Sequence, residues 1–235
     1  MKKEKTIGVI GGMGPDATID FFSKVVAKTK ATTDQEHLHI IINNNPKVPD
    51  RQKSIAGSGA SSIPELQKSA IALEKAGADF LVMTCNTAHY YVNEIIKVIN
   101  IPFISILDAS VDASLKRNPK LKRIGLLAAN GTIKTKVYEN HYKTAGVSSI
   151  VPNEEEQARV MDIIYQVKAK QVTPELRQEI KLLANQLIER GAEMILGGCT
   201  EIPLILEDGD ISVPLINSTD ALVDASISYA LNPQT

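Results

Sequence analysis

Cys85 and Cys199 are the only two thiols in the chain. Each closes a short apolar run that reads as a buried strand: Phe80-Leu81-Val82-Met83-Thr84-Cys85 and Met194-Ile195-Leu196-Gly197-Gly198-Cys199. Small polar residues follow at once, Asn86 and Thr87 after the first and Thr200 and Glu201 after the second, and they are suited to opening a helix. A lone cysteine is usually an inert buried hydrophobe, but two in equivalent places suggest a matched pair across a cleft. Such a pair can take a proton from one face of a carbon and return one to the other. The reference thiol pKa, about 8.5, makes the group both a workable acid and a workable base. A helix starting just after each cysteine would lower that value, so one thiolate and one thiol are expected at rest. Asn86, Thr87, Thr200, Glu201 and nearby backbone N–H groups would stabilise developing charge, with helix capping as an equal role for the two threonines. His89, one turn beyond Cys85, reads as a hydrogen-bonded structural histidine in preference to a modulator of the thiol.

The elements that must position these residues alternate strand and helix, the pattern of parallel α/β sheets. Strands are predicted at Thr6–Ile10, Leu38–Ile42, the run to Cys85, Pro102–Ile106, Lys122–Leu127, Ser148–Val151, the run to Cys199 and Val213–Ile216. Between them, Pro15 opens a helix with Ile19, Phe22, Val25 and Val26 on one side, and Asn43 starts a polar loop. Ser62 and Glu65 form a capping box for a helix that Gly77 stops. Helices are further expected over Thr87–Val98, Asp108–Lys116, Thr132–Ala145, Glu154–Val167, Thr173–Arg190 and Ser218–Ala230.

The order repeats. Lys5–Ile10 matches Lys122–Leu127 at an offset of 117 (Ile7 to Ile124), and Ala76–Cys85 matches Arg190–Cys199 at 114 (Cys85 to Cys199). Ile101–Ala109 matches Val213–Ala221 at 112 (Asp108 to Asp220). Three ordered correspondences imply two copies of one unit. The expected fold is α/β, with two pseudo-symmetric domains of mainly parallel sheets and an active site in the cleft between them. Residues 1–115 with 222–235 would form the first domain, carrying Cys85, and residues 116–221 the second, carrying Cys199. Ligands of open α/β sheets lie beyond the carboxyl ends of the strands, where both thiols fall.

Bulk properties exclude several classes. The 26 Lys and Arg nearly balance the 27 Asp and Glu, and Trp is absent, so neither nucleic acid nor an anionic membrane is an expected partner. No apolar run approaches the roughly 20 residues of a membrane span, and the start lacks a signal-peptide core. A cytoplasmic protein with reduced thiols is expected, and no metal site, since Cys-x-x-Cys and His at ligand spacing are both missing. Gly12-x-Gly14-x-x-Ala17 formally satisfies a dinucleotide fingerprint, but Pro15 sits in the turn and a dehydrogenase gives no reason for paired cysteines. Pyridoxal phosphate is disfavoured because no strand-end lysine has a cofactor setting. A two-lobed binding protein for a small acidic ligand is a second rival.

Gly11-Gly12-Met13-Gly14-Pro15, Pro49-Asp50-Arg51, Cys85-Asn86-Thr87-Ala88-His89 and Gly198-Cys199-Thr200-Glu201-Ile202 together resemble the cofactor-independent aspartate/glutamate racemase superfamily, most closely its aspartate branch, over essentially the whole chain. The resemblance implies Cys85 and Cys199 as the catalytic acid–base pair, with no cofactor. It implies that Met13, Arg51, Asn86, Thr87, Thr200 and Glu201 contact an acidic amino-acid substrate, Arg51 through a carboxylate. Lys168, or its neighbour Lys170, would grip the other end. Gly11 and Gly12 stand where the glutamate branch has Asp-Ser, which favours aspartate, with glutamate as a further candidate. Hydantoin racemase and maleate isomerase chemistry are the alternatives within the superfamily. A homodimer is the base-rate assembly for a cytoplasmic enzyme.

Overall fold

The computed structural model describes residues 4–232. Met1–Lys3, part of the start read above for a leader, and 233–235 of the expected first domain lie outside the described residues. The chain forms two compact units, one from residues up to Ala109 with those from Thr219 onward, the other Ser110–Ser218.

In the first unit the elements run β1 (Ile7–Gly11), α1 (Pro15–Lys28), β2 (Ile40–Asn44), α2 (Arg51–Ala56), α3 (Ile63–Lys75), β3 (Phe80–Met83), α4 (Val92–Ile96), β4 (Phe103–Ile104) and the start of α5 (Ile106–Arg117). The second unit holds the rest of α5, then β5 (Arg123–Leu127), α6 (Asn130–Thr135), α7 (Val137–Thr144), β6 (Ser148–Ile150), α8 (Glu154–Lys168), α9 (Pro174–Glu189), β7 (Ile195–Gly197) and β8 (Leu215–Asn217). The last helix, α10 (Ser218–Leu231), runs on in the first unit. There Lys5 N donates to Ala230 O at 3.1 Å and Phe80 meets Tyr229 edge-on.

Each unit is a parallel four-stranded sheet, ordered β2-β1-β3-β4 in the first and β6-β5-β7-β8 in the second. Central parallel strands are covered on both faces, which is why β1 and β3 read as unbroken apolar runs. The two orders reproduce the sequence repeat strand for strand. The packing repeats too: a Cβ on Gly8 would lie 2.5 Å from Leu81 Cδ2, and one on the equivalent Gly125 2.5 Å from Ile195 Cδ1. Both glycines let the neighbouring strand's large side chain lie across the central strand.

Several expectations are corrected. On α1 the buried residues are Ala17, Thr18, Phe21 and Val25, while Ile19, Phe22 and Val26 are exposed. The helix is turned so that the Thr18 hydroxyl can accept from Gly12 N at 2.9 Å and meet the Thr84 hydroxyl at 3.2 Å. Strand β2 continues through Asn43 and Asn44, because β1 pairs with it as far as Gly11. Ser62 precedes α3 but makes no side-chain cap; its hydroxyl donates to Pro49 O at 3.0 Å, and Glu65 accepts from Asn45 Nδ2. The helix expected over Thr132–Ala145 is α6 and α7, broken at Lys136 with φ of 54°, where Thr135 turns its hydroxyl back onto Gly131 O. The segment after Cys85 is a 3₁₀ helix, Thr87–Tyr91, followed by the single-turn α4.

Gly125→Val should destabilise the protein by about 1–3 kcal/mol, read as a lower urea midpoint with unchanged m, because the added atoms meet Ile195 and Leu187.

Candidate active site

Each sheet reverses its winding between two central strands, β1 and β3 in the first unit, β5 and β7 in the second. Carboxyl ends at such switch points form crevices. Thr84 N donates to Ile10 O at 3.2 Å, and Gly198 N donates to Leu127 O at 2.9 Å. These bonds anchor the residue just before each cysteine in its sheet. Both thiols therefore occupy the same place in their own units. Cys85 is 7% exposed and Cys199 8%.

The two cysteine carbonyls are satisfied differently. In an α-helix the Cys85 carbonyl would accept from His89 N, four residues on. Instead His89 N bonds Asn86 O at 3.1 Å, and the His89 ring supplies Nδ1 to Cys85 O at 2.8 Å. Ile106 N donates to His89 Nε2 at 3.1 Å. Nε2 is thus the acceptor and Nδ1 carries the proton, so the neutral ring ties the Cys85 turn to the start of α5. Four residues beyond Cys199 stands Pro203, which has no N–H. Ile202 N takes the Cys199 carbonyl at 3.0 Å, and Ile202–Leu204 is a 3₁₀ turn. No α-helix begins directly after either cysteine, and the dipole expected to favour the thiolates is not present in that form.

In the first unit Arg51 starts α2, which Asp50 caps by accepting from Lys53 N at 3.0 Å. Arg51 Nη1 donates to Val48 O and Pro49 O, each at 3.1 Å. Two carbonyls hold one arm of the guanidinium, and among the described residues no carboxylate pairs with it. The Ser54 hydroxyl meets the Tyr91 hydroxyl at 2.6 Å, joining α2 to the turn that follows Cys85. Met13, Asn86 and Thr87 are buried, and the Met13 side chain packs in the apolar cluster that contains Cys85.

The second unit gathers Cys199, Thr200, Glu201 and Lys168. Cys199 Sγ donates to Glu201 Oε2 at 2.9 Å, and the Thr200 hydroxyl donates to the same oxygen at 3.2 Å. Lys168, in the last turn of α8, places Nζ 3.5 Å from Glu201 Oε1. Lys170 lies beyond that helix with φ of 58°, so of the two lysines it is Lys168 that pairs with the carboxylate beside Cys199. Burial first, and then the Glu201 carboxylate, push the Cys199 thiol well above its ordinary pKa, with Lys168 opposing. The expected lowering is reversed at this cysteine.

Sequence reasoning passed over Tyr138. Its ring lies where a Cβ on Gly198 would be 3.2 Å away, and burial raises its hydroxyl pKa well above the ordinary tyrosine value. Ser110 and Ser114 on α5 meet Tyr138 and Tyr142 on α7 at 3.2 and 2.7 Å. Two serines and two tyrosines, each pair four residues apart, were the available signal. Among the described residues no group of three or more His, Cys, Asp or Glu is disposed to hold a metal ion.

Because the folded chain binds the Cys199 proton more tightly than the unfolded chain, unfolded protein loses that proton first as pH rises. Stability should therefore fall above the ordinary thiol pKa, with a limiting slope of about 1.4 kcal/mol per pH unit for the group. Urea titrations from pH 8 to 10 should show a shallower fall in Cys199→Ala. Tyr138 and Tyr142, both raised by burial, add a fall of the same sign above about pH 10 that the variant keeps.

Residues 10–226 match the model of the Asp/Glu/Hydantoin racemase family. The broad specificity amino-acid racemase RacX of Bacillus subtilis is 27% identical over 97% of this chain and all of its own length. The aspartate racemase of Picrophilus torridus superposes with a TM-score of 0.84 at 30% identity, covering 96% of this chain and 94% of its own. Glutamate racemase of Francisella tularensis, solved with D-glutamate, has the same fold at a TM-score of 0.68 and 17% identity, covering 97% of this chain and 81% of its own. The chain belongs to the Asp/Glu/Hydantoin racemase family and is an amino-acid racemase.

Proposed function

We propose that the protein interconverts L- and D-aspartate without a cofactor, with Cys85 and Cys199 as a two-base pair. The observation that carries this reading is the equivalence of the two thiols, each one residue past an anchoring hydrogen bond at the switch point of its own sheet. The likeness to the Picrophilus aspartate racemase and the glycines at 11 and 12 support aspartate as substrate.

In each direction one cysteine, as thiolate, takes the α-proton. The C–H electron pair passes into the adjoining carboxylate as an enolate, and the other cysteine gives its S–H proton to the opposite face. Arg51 offers the unclaimed part of its fork to a substrate carboxylate. Asn86, Thr87, Thr200 and the backbone after each thiol surround the developing charge, and Lys168 supplies a cation near Cys199. The similarity to RacX, a broad specificity enzyme by name, favours one second reading, in which non-acidic amino acids are also racemised.

The test is incubation in D₂O with L-aspartate, L-glutamate and a set of neutral L-amino acids, following optical rotation and the α-proton NMR signal together. Wild-type protein should racemise aspartate fastest while incorporating deuterium. Cys85→Ala and Cys199→Ala should each lose roughly 10²–10⁴-fold in rate, and Arg51→Lys should lower kcat/KM for aspartate by about tenfold or more. Racemisation that survives either cysteine variant would overturn the two-base mechanism. A faster rate on neutral amino acids would replace aspartate as the substrate.

A further inference from the structure

We propose that Glu201 is a positioning residue that keeps Cys199 protonated in the substrate-free enzyme, making Cys199 the resting acid, so that the resting form acts on the enantiomer whose α-hydrogen faces Cys85. The proposal rests on the two-thiol reading above and adds to it an order of roles.

The geometry carries it. A carboxylate oxygen has no proton to give, so the 2.9 Å contact between Cys199 Sγ and Glu201 Oε2 requires the hydrogen on sulfur. The Thr200 hydroxyl donates to the same oxygen. It shares that acceptor with the thiol and offers it no site for the proton. Both Cys199 and Glu201 are buried, at 8% and 7% exposure, so water does little to screen a thiolate from the carboxylate next to it. Among the described residues, three charged or titratable groups interact with Cys199. Glu201 comes from its own loop, Lys168 from α8, and Tyr138 from α7. Tyr138 is buried and neutral, so it leaves the balance to the other two. Lys168 is 40% exposed and lies 3.5 Å from the other oxygen, Oε1, so one carboxylate meets both the cation and the thiol. Glu201 and Lys168 therefore act on the thiol proton with opposite signs. After Cys199 delivers its proton to carbon, the thiolate stands beside Glu201, and this repulsion favours Cys199 taking a proton from water while Cys85 gives up to water the one it abstracted, which restores the resting pair.

The experiment is alkylation by iodoacetamide from pH 6 to 10, with each cysteine quantified by mass spectrometry in wild type, Glu201→Gln and Lys168→Met. Removing the carboxylate should raise the Cys199 rate at pH 8 about five- to tenfold, since reactivity follows the thiolate fraction. Removing the lysine should lower it, while Cys85 stays within about twofold in both. Glu201→Asp should restore a wild-type-like profile in part. A Cys199 rate that is unmoved, or that moves the same way in both variants, would overturn the proposal. Thermal melts report folding, and if Glu201→Gln does not fold, the fall expected in Lys168→Met, a change at an exposed side chain, still decides the sign. Alkylation needs no turnover. An opposite-signed response in protein that does not racemise aspartate would count against the two-thiol reading and uphold the control of Cys199 by Glu201. Normal racemisation with no such response would do the reverse.

Discussion

A cysteine at the mouth of a parallel sheet is useful only if the backbone on either side of it is held. On the upstream side both units solve this in one way. The residue before the thiol donates to the central strand, Thr84 to Ile10 and Gly198 to Leu127. On the downstream side the cysteine carbonyl needs a donor, and neither unit uses the α-helical one. His89 supplies a ring N–H in the first, and Ile202 an N–H three residues on in the second, where Pro203 has none to give. Everything else at the two sites is arranged around these tight turns.

The different solutions separate two otherwise matched thiols. Beside Cys85 a neutral imidazole bonds backbone at both nitrogens, the Cys85 carbonyl among them, and fixes the turn against α5. Around Cys199 the turn presents Glu201 to the sulfur and to Lys168. A duplicated frame thus carries a structural histidine in one copy and a buried charge in the other. Duplication of a fold copies positions. It does not copy electrostatics, because these depend on a few side chains that diverge without disturbing the sheet.

Much of the frame was legible before any coordinates. The glycines that end α3 and α9, Gly77 and Gly191, have φ of 96° and 97°, as helix stops should. Thr173 caps α9 by accepting from Leu176 N. The capping box expected at Ser62 does not form, for a plain reason: the same hydroxyl is claimed by Pro49 O, thirteen residues away. The face of α1 was misjudged similarly, since a period of 3.6 gives an apolar stripe but not which neighbours compete for it. Thr18, a polar residue, went inward to serve Gly12 and Thr84.

By itself the sequence determined the strand–helix alternation, the internal repeat and the ends of the strands on which the two thiols sit. Those are properties of local periodicity, turn chemistry and spacing, and they survive without knowledge of distant contacts. Tertiary structure alone decided what surrounds each sulfur. The 3₁₀ turns replaced the helix termini, Lys168 came 33 positions along the chain to Glu201 (168 to 201), and Tyr138 packed on Gly198. Burial and a neighbouring carboxylate then reversed the expected direction of the Cys199 pKa. A thiol's proton affinity is set by the charges and solvent within a few ångströms of it, and those are brought there by the fold.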